Sequence, residues 1–340
     1  MNDNSARITW LDNLRAIGIF MVILGHMNLD NYVWQYLHSI AMPIFFFVSG
    51  YLFNQRNCGS FRQFFWKKCR TIIVPYLFFA ILSFMFWFLV VRSLSISGKA
   101  LSIDPFKAFI GVFYGVGSGV WKNPLNTALW FFPCLFVVEI LYYWVRGRWY
   151  LLPVFALLGY WAGELPFRLP LGSDAALTGI VFFGVGQSYK DTWLRYRYIP
   201  ILITFHLVFC FLNNRTDMNS LMYGNVFYYY ISALSGVLLY SFLCKRLRPT
   251  GILSYIGSNT FIIIGMQGIV SFTMHSIHFV CFGARIQQSG LAFGCVLTIL
   301  SICLSIPAVY LINAYVPLML GRSKPAINKW AWLQPLYSTK

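Results

Sequence analysis

The chain has 340 residues, of which 59% are hydrophobic and only 10% are charged. A water-soluble domain of this length carries roughly 25% charged residues, so the composition excludes an ordinary soluble globule. Apolar runs of about 20 residues recur from end to end, and this is the length that crosses a bilayer as a helix. The sequence therefore predicts an all-α fold in the form of a polytopic bundle of transmembrane helices.

Ten membrane spans follow one another along the chain. We place them near residues 8–27, 33–53, 72–91, 126–145, 149–164, 174–189, 198–213, 225–243, 251–274 and 289–312. With the N-terminus in the cytoplasm, 18 of the 26 Lys and Arg residues fall in cytoplasmic segments, seven in outer loops and one in the first span. This bias follows the positive-inside rule. It predicts that both termini are cytoplasmic, and it explains the net charge of +17 without nucleic acid as a partner.

The chain has the organisation of a single integral-membrane domain. No linker, repeat or low-complexity tract divides residues 1–340, and a short basic tail over 313–340 follows the last span. The outer loop over 92–125 is rich in Gly and aromatic residues, and we expect it to re-enter the membrane in part. The first span carries charged residues, unlike a cleaved signal peptide. Eight scattered cysteines without a Cys-x-x-Cys pair argue against a disulfide framework.

The first span, "LDNLRAIGIFMVILGH", combines apolar residues with three ionisable ones. A helix turns about 100° and rises about 1.5 Å per residue, so Arg15 and His26 share one face about 16 Å apart. Gly18 and Val22 lie near the line between them, and Asp12 can pair with Arg15. Ionisable residues inside spans usually face a protein interior or a watery cavity. The stripe therefore predicts a ligand with an anionic part on Arg15 and a reacting centre at His26.

A simpler interpretation of the same residues stays open at this point. Arg15 could extend to the cytoplasmic interface, as long basic side chains do, and His26 could only cap the outer end of the helix.

The predicted cytoplasmic loop over 54–71 is basic. Its cations include Lys67, Lys68 and Arg70. Lys and Arg suit phosphate groups, so the loop is a candidate landing site for a phosphorylated cytoplasmic donor. The positive-inside rule and anionic lipid headgroups explain the same charges equally simply.

Three residues within the spans are further candidates. Ser49 precedes Gly50 at the end of the second span; a Ser-Gly step typically serves close helix packing, and Ser49 is also a candidate donor contact. Trp130, near the outer end of the fourth span, is a candidate supporting residue. Glu139 lies within the same span and needs a partner or a wet cavity.

Five motifs occur in a fixed order. They are "WLDNLRAIGI" with the Arg15–His26 spacing, "MPIFFFVSGYL", "WKKCRTIIVPY", "ALWFFPCLF" and "LSYIGSNTFIIIG". In this order they resemble the membrane-bound acyltransferase-3 family, particularly its stand-alone members described as fucose 4-O-acetylase-like. The resemblance spans about residues 7–270, and the ten-helix layout extends it over nearly the whole chain. Each motif alone is weak, whereas five in order at matching topological positions are specific.

The resemblance implies transfer of an acyl group, usually acetyl from acetyl-CoA, to a sugar hydroxyl of a bacterial surface glycan or its lipid-linked precursor in the cytoplasmic (inner) membrane. It also implies that Arg15 and His26 are catalytic. A polyprenyl-linked sugar, a lipopolysaccharide sugar such as that of the O-antigen and a secondary metabolite all stay open as acceptors. The competing class is a transporter or flippase without chemistry, which also buries charges among many helices. No inverted repeat is visible, and the ordered motifs argue against that class.

This chain departs from the family pattern at two positions. Members often have histidine just before the "MP" of the second span and about ten residues after the glycine of the late motif; here these positions are Ala41 and Gln267. His38 lies about one turn before Ala41, and whether it substitutes is left open. His275 and His278 lie further along, and two histidines are too few to predict a zinc site. No metal is expected.

The residues support one mechanism in two variants. Arg15 and the basic residues of the 54–71 loop would hold the CoA phosphates, and the pantetheine arm would run along the Gly18–Val22 stripe to His26. Imidazole titrates near neutral pH, so His26 could take the proton of the acceptor hydroxyl as it attacks the thioester. The other variant is an acyl-imidazole intermediate, and the sequence does not separate the two.

Overall fold

The computed structural model describes residues 8–27, 29–54, 59–94, 98–189, 196–247, 250–282 and 290–321. This part of the chain is largely helical and forms no strand, which confirms the predicted fold class. Its main helices are α1 (Thr9–Gly25), α2 (Asn31–Tyr51), α3 (Phe61–Val91), α4 (Pro105–Tyr114), α5 (Phe131–Val145), α6 (Leu152–Ala162), α7 (Ser173–Ser188), α8 (Ile199–Leu212), α9 (Val226–Arg246), α10 (Gly251–Ser258), α11 (Thr260–Phe282) and α12 (Leu291–Tyr315).

Every predicted span overlaps at least one of these helices. Among the described residues, five helices are long and apolar enough to cross a membrane: Phe61–Val91, Thr127–Val145, Val226–Arg246, Thr260–Cys281 and Leu291–Tyr315. Trp149–Ala162 and Tyr196–Leu212 are shorter apolar helices. The total of ten spans and the cytoplasmic position of the termini stay predictions, and most of the 313–340 tail lies outside the described residues.

The prediction of a loop over 54–71 is wrong for its second half. α3 begins at Phe61 because Ser60 and Gln63 form a capping box, in which each side chain bonds the backbone N–H of the other residue. The predicted loop cations that follow therefore lie on a helix. A π-helical segment, Cys69–Ile73, widens this helix just after Lys68 and contains Arg70.

The predicted span over 251–274 is two helices instead of one. Asn259 has non-helical backbone angles (φ −112°, ψ 14°) and separates α10 from α11. Its side-chain amide donates to the Tyr255 carbonyl at 2.8 Å, and its side-chain oxygen accepts from Asn313 of α12 at 3.0 Å. Asn side chains that bond nearby backbone compete with helical hydrogen bonds, and α11 then continues to Phe282.

α1 is the central helix of the bundle. It packs against α2, α9, α10, α11 and α12, and 12 of its 17 residues are buried. α2 crosses it at Gly18, where a Cβ would lie 3.1 Å from the Phe45 ring. α10 crosses it so closely that a Cβ on Gly257 would overlap the backbone of Asp12. Small residues allow such approaches between membrane helices, so α10 fixes the start of α1 and α2 fixes its middle.

A buried ion pair ties together connecting segments at the end of the bundle that carries His26. The Arg168 guanidinium binds Asp174 with two hydrogen bonds, Nε to Oδ2 at 2.8 Å and Nη2 to Oδ1 at 3.0 Å. It also donates to the Ser118 hydroxyl and to the Asn219 carbonyl. Asp174 is completely buried. Bidentate charge-assisted bonds of this kind give strong geometric specificity, so three connections between helices meet at one residue.

Candidate active site

The Arg15 end of α1 is built around a buried carboxylate. Arg15 Nη1 lies 3.7 Å from Asp12 Oδ1, and the Asp12 side chain is 7% exposed against 28% for Arg15. The Ser254 hydroxyl of α10 donates to Asp12 at 3.3 Å. Asp12 therefore orients the guanidinium while leaving it partly accessible. The pairing of Asp12 with Arg15, which the three-residue spacing predicted, is confirmed.

The late motif "LSYIGSNTFIIIG" meets the first motif at this end. Its Gly257 packs against the Asp12 backbone, and its Ser254 bonds the Asp12 side chain. A cavity of about 80 Å³ lies beside the break between α10 and α11, with Thr71, Ser258 and Asn259 among its polar walls. Residues more than 240 positions apart in the chain thus build one structure around α1.

His26 is the C-terminal cap of α1 and is exposed. Its Nδ1 lies 2.7 Å from the Val22 carbonyl oxygen. A carbonyl can only accept a hydrogen bond, so Nδ1 carries a proton, and in the neutral imidazole Nε2 is then the unprotonated nitrogen. This arrangement leaves Nε2 available as a base. The suggestion that His26 caps the helix is also correct, and the two roles are compatible.

His38 of α2 belongs to the same end of the bundle. Its ring lies against α1 at Gly25, where a Cβ would be 3.0 Å from His38 Cε1. It stacks on the Trp34 ring at 3.8 Å and interacts electrostatically with His26 and Asp217. The sequence left the role of His38 open. Its position about one helical turn before Ala41 was the available signal, since residues one turn apart face the same neighbour.

The face of α1 between its two ends is covered. A Cβ on Gly18 would lie 3.1 Å from the Phe45 ring and 3.2 Å from Ile44, and Val22 is only 7% exposed. The predicted course of the pantetheine arm along the Gly18–Val22 stripe therefore requires that α2 move away from this face.

Similarity to known proteins decides the family. The family described as "Acyltransferase domain" matches residues 8–310, a range that contains both Arg15 and His26. The chain belongs to the acyltransferase-3 family. It is therefore a membrane-bound acyltransferase. No curated protein and no solved structure matches the chain.

The predicted donor contact Lys68 forms an ion pair within the acyltransferase. Its ammonium forms an ion pair with Glu139 of α5, whose side chain is 7% exposed. This contact supplies the partner that an intramembrane carboxylate needs. Lys67 and Arg70 are exposed, so these two predicted donor cations remain accessible, as does the partly exposed Arg15.

The other predicted residues lie in packed positions. Next to Ser49, Gly50 packs so closely that a Cβ would overlap the Phe183 backbone of α7, which fits the packing role of a Ser-Gly step. Trp130 is 4% exposed in the 3₁₀ turn before α5, and Gly117 leaves room for its ring. None of the contacts described above joins Ser49 or Trp130 to Arg15 or His26.

The departures from the family pattern are buried. Ala41 is 4% exposed and Gln267 is 3% exposed, and neither amide atom of Gln267 has a hydrogen-bond partner in the described part of the chain. The described residues also include no group of three or more His, Cys, Asp or Glu side chains that could hold a metal ion.

Proposed function

We propose that this acyltransferase transfers an acyl group, acetyl from acetyl-CoA in the simplest case, to a sugar hydroxyl of a bacterial surface glycan or of its lipid-linked precursor. It works in the cytoplasmic (inner) membrane, with the Arg15 end of α1 facing the cytoplasm. One observation carries the proposal: a single buried helix presents a guanidinium at one end and an imidazole at the other. Family membership supports acyl transfer in general.

The Arg15 end receives the donor in this proposal. Asp12 holds the guanidinium of Arg15 in a partly exposed position, and Lys67 and Arg70 add exposed cations. CoA carries several phosphate groups, which guanidinium and ammonium groups bind well. Lys68 contributes less, because Glu139 already neutralises its charge. The cavity beside the α10–α11 break, which Thr71 of α3 lines together with Ser258 and Asn259, offers space for part of the donor.

The His26 end carries out the transfer. His26 Nε2 takes the proton of the acceptor hydroxyl while the hydroxyl oxygen attacks the thioester carbonyl carbon. A C–O bond forms, the C–S bond breaks, and the CoA thiolate leaves and takes up the proton. In the second variant, His26 itself attacks the thioester and passes the acyl group to the hydroxyl. Both variants use the same nitrogen.

The donor must reach His26 past α2. In the proposal, α2 separates from α1 at Gly18 when the pantetheine arm binds. α2 contains Pro43 beside the residues that cover Gly18. A proline inside a helix removes a backbone hydrogen bond and is a common site of bending, so α2 can open there without unfolding.

Incubation with defined substrates tests this function. Purified protein in lipid nanodiscs is mixed with acetyl-CoA and candidate sugars, both lipid-linked and free, and the products are read by mass spectrometry. We expect a mass gain of one acetyl group on at least one sugar, which requires both acetyl-CoA and His26. An equal yield from a correctly inserted His26→Ala protein would overturn the proposal.

A further inference from the structure

A cavity of about 300 Å³ opens at the His26 end, between the start of α2 and the end of α8. Its walls are Asn31, Tyr32, Gln35, Phe211, Asn213 and Arg215. The Gln35 side-chain amide donates a hydrogen bond to the Asn214 carbonyl oxygen at 2.8 Å. The Asn213 side-chain amide donates one to the Tyr223 carbonyl oxygen at 3.0 Å. Arg215 is therefore the charged residue in the cavity wall that can bind an anionic ligand.

Arg215 is close to the site of chemistry. It is exposed, and no acidic side chain of the described residues forms an ion pair with it. Its guanidinium lies 3.9 Å over the Trp34 ring, and Trp34 stacks on His38 at 3.8 Å. His38 in turn lies against Gly25, the neighbour of His26. A short column of contacting groups thus leads from this cation to Gly25, the residue before the proposed reacting imidazole. The Asp217 carboxylate also acts electrostatically on His38 in this column.

The helix beside the cavity presents an apolar, exposed face. Leu207, Phe211 and Leu212 of α8 are 40%, 46% and 64% exposed. An apolar face on a membrane helix is suited to lipid tails. Phe211 belongs both to this face and to the cavity wall. The cavity is therefore bordered by lipid-compatible surface on one side and by a guanidinium on the other, which fits a ligand that is both amphipathic and anionic.

We propose that this cavity binds the phosphate group of a lipid-linked sugar acceptor. Arg215 binds the phosphate oxygens, the lipid follows the exposed face of α8, and the sugar points toward His26. The inference rests on the proposed function and narrows its acceptor to the polyprenyl-phosphate class among those that the sequence left open. A guanidinium binds two phosphate oxygens at once, whereas an ammonium acts as a point charge.

Acceptor selectivity tests the proposal. The same sugar is offered to the protein in nanodiscs with acetyl-CoA, either as a short-chain polyprenyl diphosphate or as a neutral alkyl glycoside. The readout is the ratio of kcat/KM for the phosphate-bearing acceptor to kcat/KM for the neutral one. We expect Arg215→Ala to lower this ratio by roughly 10- to 100-fold, as for a lost charge-assisted hydrogen bond. Arg215→Lys should recover part of it.

The controls separate this site from general charge and folding effects. Lys107→Ala removes one exposed positive charge from the predicted outer side and should leave the ratio unchanged. An unchanged ratio in Arg215→Ala overturns the proposal. Equal loss with both acceptors also overturns it, because Arg215 then only supports the ring column around His38.

If no sugar is acylated at all, that outcome counts against the proposed function. A binding measurement still tests the cavity in that case. Farnesyl phosphate is titrated while tryptophan fluorescence is followed, since Trp34 lies under the guanidinium. We expect a saturable change that Arg215→Ala weakens by about tenfold or more. Equal affinity for phosphatidylglycerol in the same assay would identify an ordinary lipid-headgroup site and overturn the acceptor assignment.

Discussion

The two ends of α1 are built in different ways, although each carries one residue of the proposed catalytic pair. At the Arg15 end, a buried carboxylate and the close backbone crossing at Gly257 hold the cation. At the His26 end, the imidazole is exposed, its Nδ1 is bound and its Nε2 is left available, while the stacked rings of Trp34 and His38 lie beside the neighbouring Gly25. A binding cation benefits from a fixed position, whereas a base must exchange its proton. The difference therefore matches a division between donor binding and chemistry.

Removing the imidazole should give the largest loss of activity. His26→Ala takes away the proposed base, and general base catalysis contributes about 100- to 10,000-fold. The acyl-transfer rate of the purified variant measures this. Expression and thermal unfolding serve as the control and should stay close to those of the unmodified protein, since His26 is exposed at a helix end. A variant rate within a few-fold of the rate of the unmodified protein would contradict the assignment of the chemistry to the His26 end.

Lys68→Met should give the largest loss of stability. The substitution leaves the Glu139 carboxylate buried without its cation, which typically costs about 3–5 kcal/mol. Thermal unfolding in detergent reads the effect. Lys67→Met, at an exposed position, is the matched control. The double variant Lys68→Met/Glu139→Leu should regain much of the loss; if instead the single variant keeps its stability and only raises the KM for acetyl-CoA, Lys68 binds the donor.

Arg15→Lys should raise the KM for acetyl-CoA by about tenfold. The charge is kept, but the forked contact with phosphate and the geometry toward Asp12 are lost. The KM for the acceptor should change little, because the acceptor binds at the other end of α1 in the proposal. Unchanged KM and kcat for the donor would show that Arg15 only anchors the helix.

Gly25→Ala should give a smaller loss that reports on the ring column. The added Cβ would lie 3.0 Å from His38 Cε1, so the ring must move by a few tenths of an ångström. Misplacement by 1 Å can cost about 100-fold in rate, and this smaller shift should cost less. Gly290→Ala, where nothing lies within 4 Å of the added Cβ, is the control. Equal kcat in both variants would remove His38 from the site.

Local patterns predicted what depends on one helix. The pairing of Asp12 with Arg15 follows from a three-residue spacing and is confirmed, whereas the alignment of Arg15 with His26 on one face stays a prediction from helical periodicity. The start of α3 was also readable, since Ser60 and Gln63 form a standard capping box; the basic charge that follows hid it, because it fits a loop equally well.

Contacts between distant segments could not be predicted in the same way. The Lys68–Glu139 pair joins residues 71 positions apart, and the sequence showed only that Glu139 needed some partner. The stacking of Arg215 on Trp34 depends on how α2 meets the segment after α8. Likewise, the covering of Gly18 by Phe45 depends on a helix crossing that no motif encodes.

The sidedness of the reaction tests the proposed role of α1 most directly. Purified protein is placed in liposomes of one orientation, with acetyl-CoA only on the side of the Arg15 end and a short-chain polyprenyl diphosphate sugar only on the side of the His26 end. We predict acetylated sugar at a rate that Arg15→Lys and His26→Ala both lower. Product that forms only when donor and acceptor share one side would contradict a single helix that links a donor site to an acceptor site across the membrane.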